Sequence, residues 1–438
     1  MATYSSKSEK YHLDKIKGKK LPEKFNYMKN RVAVVKLDDY EPKNIRNALK
    51  SVIELLGIKD FFNNKSILLK PNALAPIKNA ITPTEIIMEL IKLIKSKANA
   101  KKIIVGDSTM TKKLTNITFK RSKIKEKCEE EGATIVNFFE SERTKVKLDN
   151  PPHEVEENIY LPKEVINADL IINLPKLKTH KGYVYTGAIK NLFGLLGNKM
   201  NMHMTHKNKI DFQRMLADIY FAVEETNNEN LPKVLTIMDA VVAMEGKGPR
   251  SGKPRKMGLI IAGFNSAAVD IVGYTLMNGN PSDLEAITSL AKRSQLPLDI
   301  SQLNIVGEID FNKYIVKNFK KPKIVTLKEA IVPENGLYSK ISKKLMSISI
   351  KIKRKKCILC EECVKHCPAE ALVRRSEKIV VDQDKCIECF CCGESCPNDA
   401  INAKFYLFRI LPILILVLAI GSFIIVWFFT QLIISVFQ

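Results

Sequence analysis

Nine of the ten cysteines in this 438-residue chain fall between Cys357 and Cys396. Eight of them form two copies of one register, CxxCxxCxxxCP. The first copy is Cys357, Cys360, Cys363 and Cys367 with Pro368, and the second is Cys386, Cys389, Cys392 and Cys396 with Pro397. Cys386 follows Cys357 by 29 positions, and the same offset relates the other three pairs. The match runs on into CPAEAL against CPNDAI, so Ala371 and Ala400 also correspond and the segment is a duplicated fold unit. Thiols this concentrated favour metal over a disulfide framework, which would spread its cysteines along the chain.

The spacing suits a 4Fe–4S cubane. Three thiolates on one tight loop reach three irons, and the fourth corner takes a ligand from elsewhere, which in two-cluster ferredoxins crosses from the other loop. Cluster one then takes Cys357, Cys360, Cys363 and Cys396, and cluster two takes Cys386, Cys389, Cys392 and Cys367. Zinc is the competing metal, but zinc ribbons need neither the third cysteine nor the CP ending. Cys391 aligns with Glu362 and lies outside the register, as a small apolar filler or as a spare ligand or redox thiol. Between the copies, VRRSEKIVVDQDK reads as a short hairpin. Upstream, KIKRKK at 351–356 offers a basic face to an anionic lipid surface or an acidic redox partner, or is a solvated linker.

The formal charge of +23 raises nucleic-acid binding. The lysines are spread along the whole chain, however, and aromatic residues make up only 7%, so stacking platforms are few and no nucleic-acid partner is expected. The amino terminus has no apolar segment of the secretory kind, which points to the cytoplasm. Ile410 to Phe429 carries no charge and has the length of a bilayer span. With Lys404 and Arg409 just before it, the expectation is a single-pass tail anchor, membrane lipid as a partner, and everything upstream on the cytoplasmic face.

Residues 1–29 read as a flexible basic arm. From about residue 30 to 330, short apolar runs alternate with segments of helical period: RVAVVKL then NIRNALKSVIELL, SILLKPN then PTEIIMELIKLIKS. This is the pattern of an α/β domain with a largely parallel sheet. A basic linker at 331–355, a small α+β two-cluster ferredoxin-like module at 356–403 and a carboxy-terminal transmembrane helix within 404–438 complete the expected organisation. Ligands of such sheets bind beyond the carboxyl ends of the strands. The apolar runs end there in Lys70 and Asn72, in Asp107 and Ser108, in Lys176, Lys178, Thr179 and His180, in Asp239, and in Asn265. One crevice rich in lysine suggests an anionic substrate, with His180, Asp107 and Asp239 able to move protons or hold a metal. GAIKNLFGLLGNKMNMHMTH adds Lys190, Asn191 and glycines suited to close backbone approach, and His203 with His206 is a weak candidate metal pair. GKGPRSG at 246–252 reads as a plain turn and not as a dinucleotide loop.

KPN at 70–72, GDS at 106–108, PKLKTH at 175–180, GAIKNLFG at 187–194, MDAVVAMEGKGP at 238–249 and AAVD at 267–270 together resemble the family of domain of unknown function number three hundred and sixty-two. Its members often carry a two-cluster ferredoxin module after that domain. The resemblance implies an iron–sulfur protein with a redox role and marks Lys70, Asp107, Lys176, His180, Lys190, Asn191, Asp239 and Asp270 without assigning them roles. The expected activity is a membrane-anchored iron–sulfur oxidoreductase, its two 4Fe–4S clusters passing electrons to or from an anionic substrate. The alternatives are a non-catalytic electron-transfer subunit docked on a redox partner protein, and a non-redox enzyme with structural or sensory clusters.

Overall fold

The computed structural model describes residues 30–148, 153–197, 199–206, 208–226, 233–308, 310–322, 348–398 and 400–405, with a few isolated positions besides. Nearly all of the expected arm, most of the expected linker and almost all of the 410–429 span lie outside the described residues.

Apolar runs rich in Val, Ile and Leu become strands because their β-branched side chains pack on a pleated surface. The first twelve are β1 (Arg31–Lys36), β2 (Ser66–Pro71), β3 (Lys102–Asp107), β4 (Thr134–Asn137), β5 (Arg143–Lys147), β6 (Asn158–Pro162), β7 (Leu170–Leu174), β8 (Lys176–His180), β9 (Val184–Thr186), β10 (Val234–Glu245), β11 (Lys253–Gly263) and β12 (Asn304–Gly307). The main sheet runs β12-β1-β11-β10-β7-β2-β3-β4, with β8 on β10 and β9 on β8. Pairing is parallel from β10 through β7, β2 and β3 to β4. The long hairpin β10–β11 and its contact with β1 are antiparallel. The sheet is therefore rich in parallel pairs, as the alternating pattern implies, and mixed because of this hairpin, which the pattern does not show.

Successive side chains leave a strand on opposite faces, and the core divides accordingly. Val32, Val34, Leu68, Ile104 and Ile171 join one buried cluster, and Ala33, Val35, Ile67, Leu69, Ile103, Val105 and Ile172 join the other. Helices Lys209–Glu225 and Ser266–Leu276 cover the first face, and helices Pro42–Leu56 and Thr84–Lys97 cover the second. Helix Pro42–Leu56 buries Ile45, Ala48, Leu49, Val52 and Leu56, a stripe at helical spacing. Proline begins it, and Gly57 ends it in the left-handed region at φ 71°, its N–H closing on the Glu54 carbonyl.

The cysteine module has its own pair of ribbons. β13 (Ile348–Ile352) pairs antiparallel with β16 (Ile401–Phe405), and β14 (Leu372–Arg375) with β15 (Lys378–Val381), the hairpin expected between the repeats. Lys351 of the basic run thus lies in the module's first strand. The duplication is conformational as well as sequential. Leu359 and Glu388 occupy the left-handed region at matching repeat positions, and so do Glu361 and Phe390. Each such non-glycine residue costs roughly 1 kcal/mol or more and persists only where its surroundings over-determine it.

The expected transmembrane helix, and with it the placement as a single-pass tail anchor on the cytoplasmic face, is corrected. Among the described residues no helix is long and apolar enough to cross a membrane. The longest, Lys209–Glu225, has 17 residues and carries Asp211, Arg214 and Asp218. Ser266–Leu276, apolar nearly all round, has 11, about half the length of a span; it is buried because it packs between sheet and helices.

Replacing Gly57 by alanine puts a Cβ on a left-handed residue. The expected loss is about 1 kcal/mol in denaturant unfolding, with cluster absorbance unchanged. An unaltered midpoint would show that the cap does not depend on glycine.

Candidate functional site

Lys70 and Asp107 end the adjacent parallel strands β2 and β3, and their side chains meet in an ion pair of 2.8 Å with almost no exposure. Asp107 also accepts the amides of Ala73 and Ser108 at 2.8 and 2.7 Å. Its charge is fully engaged. Burial lowers the Lys70 ammonium from its ordinary value, offset in part by Asp107. The loop after β9 closes over this pair at Gly194, where any Cβ would collide with the Asp107 carboxylate and the Lys70 side chain. The expected close backbone approach exists, and it is to an ion pair of the chain itself.

Around the pair lies a pocket lined among others by Lys178, His180, Lys190, Lys199, Thr186 and Glu394. Lys178 donates to Asn72 Oδ1 at 2.5 Å and to the Ala80 carbonyl at 2.7 Å. Lys199 donates to the Ser108 carbonyl. Burial, outweighing the nearby acids, pushes both ammonium groups down to about 7. Lys190 lies 5.3 Å over the Tyr183 ring. The Asn191 amide bonds Asn72, Asn173 and the Lys70 carbonyl, and so fixes the loop on the strand ends.

His180 is fully buried. Its Nδ1 accepts the amides of Gly182 and Tyr183 at 3.0 and 3.2 Å, so the ring proton sits on Nε2 and is donated to Glu394 Oε1 at 2.9 Å. Burial and the positive charge of Lys190 push the imidazole down to about 4. Burial alone raises Glu394, but Lys190 and the His180 bond outweigh it and hold the carboxyl below the ordinary range. Both directions describe one state, a neutral imidazole donating to a carboxylate.

Glu394 comes from the cysteine module. It lies on the short helix Cys391–Ser395, between Cys392 and Cys396. The same loop is held on the sheet domain by Arg250, which donates to the carbonyls of Gly393, Glu394 and Cys396. Lys209 pairs with Glu388 at 2.8 Å, and Lys181 lies 5.0 Å over the Phe390 ring. GKGPRSG, expected to be a plain turn, carries the arginine that clamps the module.

The cysteines of the two repeats crowd one another in the module. Burial and the neighbouring Cys396, Cys360 and Cys357 push the Cys363 thiol up to about 12. Burial and Cys389, Cys386, Cys367 and Cys363 raise Cys392 in the same way. Thiols gathered this closely give up their protons together only to a cation. The Ala371 amide donates to Cys367 Sγ at 3.2 Å and the Ala400 amide to Cys396 Sγ at 3.3 Å. The CPxxA repeat therefore supplies one hydrogen bond to each crossing sulfur. Cys391 is buried, and its sulfur, that of Cys389 and a ring nitrogen of His203 lie within 4.8 Å of one another.

These cysteines are those of a known cluster fold. The chain carries a DUF362 domain and a 4Fe-4S dicluster domain. Residues 67–275 match the first, described as a domain of unknown function (DUF362), and residues 349–397 match the second. The 4Fe–4S clusters are thus the protein's cofactors. The thylakoid-associated protein sll1697 of Synechocystis sp. is 27% identical over 307 residues, 68% of this chain and 89% of that protein. The lactate racemase apoprotein of Thermoanaerobacterium thermosaccharolyticum superposes with a TM-score of 0.34 at 13% identity, over 57% of this chain and 58% of that one. That superposition is too loose to carry fold or chemistry across.

Within the DUF362 domain, the structure brings Lys70, Asp107, His180, Lys190 and Asn191 into one pocket. Lys176 and Asp239 meet each other instead, at 2.5 Å and with Tyr40 bonded to both, and do not line it. Asp270 accepts the amides of Ala188 and Ile189 and the Tyr185 hydroxyl, holding the start of helix Ala188–Leu192. His203 and His206 diverge: His203 stacks on Phe212 at 4.4 Å, while His206 bonds Glu156 at 2.9 Å. Lys199, Thr186, Glu394 and Arg250 were not singled out in the sequence. One signal marks Glu394: at the matching position of the first repeat stands Lys365, a reversal of charge.

Two outcomes follow. Reconstituted protein should bind about eight irons per chain. Cys391→Ala keeps that content, whereas Cys367→Ser loses part of it, read by iron and sulfide assay with electron paramagnetic resonance; equal loss in both variants would put Cys391 among the ligands. Lys178 lies near 7 in the folded protein against 10.5 ordinarily, so between those values the unfolded chain holds more protons and stability rises with pH. Lys178→Met flattens that rise, measured by anaerobic melting from pH 7 to 9.5. An unchanged slope would mean that Lys178 carries no depressed value.

Proposed function

We propose that the chain is an iron–sulfur oxidoreductase acting on a small anionic substrate held in the pocket at the carboxyl ends of β2, β3 and β8. The observation that carries this reading is Glu394: a residue of the second cysteine loop forms part of the wall of a lysine-rich pocket and bonds its histidine. When bound, the clusters supply single-electron transfer. The residues of the chain do the rest. Lys178, Lys190 and Lys199 attract and bind the anion, and the Lys70–Asp107 pair holds the two strand ends together beneath it. His180, oriented by two backbone amides, keeps its Nε2 proton toward Glu394. Arg250 and Lys209 fix the loop so that the bound molecule stays beside it, and close packing keeps bulk water from the buried lysines.

The opposite cysteine loop favours a protein partner for electron exchange. Cys360 is exposed, Ile358 is 61% exposed, and Lys353, Arg354, Lys355 and Lys356 are exposed beside them. A basic rim around an apolar tip suits an acidic redox protein, whose encounter the charges would steer.

The test uses the full chain under argon, its clusters reduced with dithionite, the excess removed, and reoxidation followed by iron–sulfur absorbance while small organic anions are added in turn. Certain anions should speed reoxidation, and Lys178→Met should slow that effect about tenfold or more with cluster content intact. No acceleration by any anion from the oxidised or the reduced side would sink the enzymatic reading.

A further inference from the structure

The proposed function requires only an anion; the charges of the pocket narrow its class. Four lysines face it, Lys70, Lys178, Lys190 and Lys199, against two carboxylates, Asp107 and Glu394. The carboxylates are already committed, Asp107 to Lys70 and two amides, and Glu394 to His180. His180 is neutral by its hydrogen bonds. With all four lysines protonated, two positive charges are left over among these side chains.

The surplus is not solvated surface charge, because Lys178 and Lys199 are 1% and 6% exposed. Among the described residues neither they nor Lys190 have a carboxylate within ion-pair distance. An ammonium has three N–H donors, of which Lys178 spends two, on Asn72 and Ala80, and Lys199 one, on Ser108. Charges buried without partners are costly, so such an ammonium sheds its proton unless a ligand compensates it. The pocket also holds a neutral donor: the buried Thr186 hydroxyl has no hydrogen-bond partner among the described residues. Lys178 is anchored from the β2 side and Lys199 from the β3 side, so the cations stand at separate stations.

We propose that the pocket binds a small dianion, a dicarboxylate or a phosphate monoester, through Lys178, Lys199 and Lys190, with the Thr186 hydroxyl as an additional donor. This rests on the reading of the pocket as the substrate site and adds the charge of the substrate to it. A monoanion leaves one buried ammonium uncompensated. Burial pushes Lys178 and Lys199 down to about 7, against Glu394, Lys190, Lys176 and Asp107 around the first and Asp107, Lys70, Glu394 and Lys190 around the second. A dianion recharges both, and its binding takes up protons near neutral pH.

The experiment is anaerobic titration calorimetry of the cluster-loaded full chain with succinate, methyl phosphate and butyrate, which needs no turnover and is therefore independent of the oxidoreductase reading. Succinate or methyl phosphate should bind about tenfold or more tightly than butyrate, the better of the two identifying the dianion's source. Thr186→Val should weaken the better one by about three- to tenfold. Lys199→Met should reduce the preference for two charges. Should that variant fail to load clusters, Asn72→Asp tests the same point, because it gives Lys178 a carboxylate of its own with the shape of the amide and should remove most of the preference. Equal affinity for butyrate, no binding by any of the three, or a preference that survives Asn72→Asp would each overturn the proposal.

Discussion

The hydrogen bond between His180 and Glu394 joins the two halves of this protein, and most of the rest depends on it. A carboxylate enters a protein interior only when it is paired and hydrogen-bonded. Glu394 finds both conditions in a pocket with an excess of lysines and a histidine whose donor nitrogen is set by two backbone amides. The helix that carries it is five residues long and also carries Cys391 and Cys392. Displacing the cysteine loop by the length of a hydrogen bond would therefore leave an uncompensated carboxylate and remove a wall of the pocket. Arg250, on the turn of the β10–β11 hairpin, holds the same loop from behind through three carbonyls.

The buried ion pair beneath the pocket has the complementary role. Lys70 and Asp107 come from neighbouring parallel strands, where side chains beyond the last paired residues converge. Their pairing neutralises the floor and lets the 187–199 loop lie directly on it, a contact that requires glycine at 194. Lys190 and Lys199 are thereby delivered to the pocket from one loop, Lys178 and His180 from a single strand, and Glu394 from another domain. An arrangement with contributions from three directions has a shape that depends on folding of the whole chain.

Much of this was legible in the sequence. The alternation of apolar runs with helical segments gives a parallel-rich sheet, and the strand ends mark Lys70, Asp107 and His180. The thiol register points to the 4Fe–4S clusters that the match to a dicluster domain supports. What was not legible is tertiary. Lys176 and Asp239 end apolar runs just as Lys70 and Asp107 do, but β8 pairs with β10 at that very point and turns the two side chains onto each other and onto Tyr40. His203 and His206 share a spacing that suits a metal, but Phe212 and Glu156 take them apart. The run from Ile410 to Phe429 lies almost wholly outside the described residues, among which no helix is long and apolar enough to cross a membrane.

The two cysteine loops, equal in register, differ in the residues between the ligands, and the differences follow their surroundings. The first has Glu361, Glu362, Val364 and Lys365 where the second has Phe390, Cys391, Gly393 and Glu394. The first set belongs to a loop with an exposed cysteine beside a basic rim, whereas all four residues of the second set are buried. Phe390 and Cys391 replace two carboxylates that would meet the sheet domain without partners, and Gly393 leaves room for the Phe390 ring to fold back over the helix. The ninth cysteine of the cluster is small and uncharged because this is where the module docks. A duplicated unit whose copies differ in this way is polar: one loop turns to solvent and the other to the lysine-rich pocket.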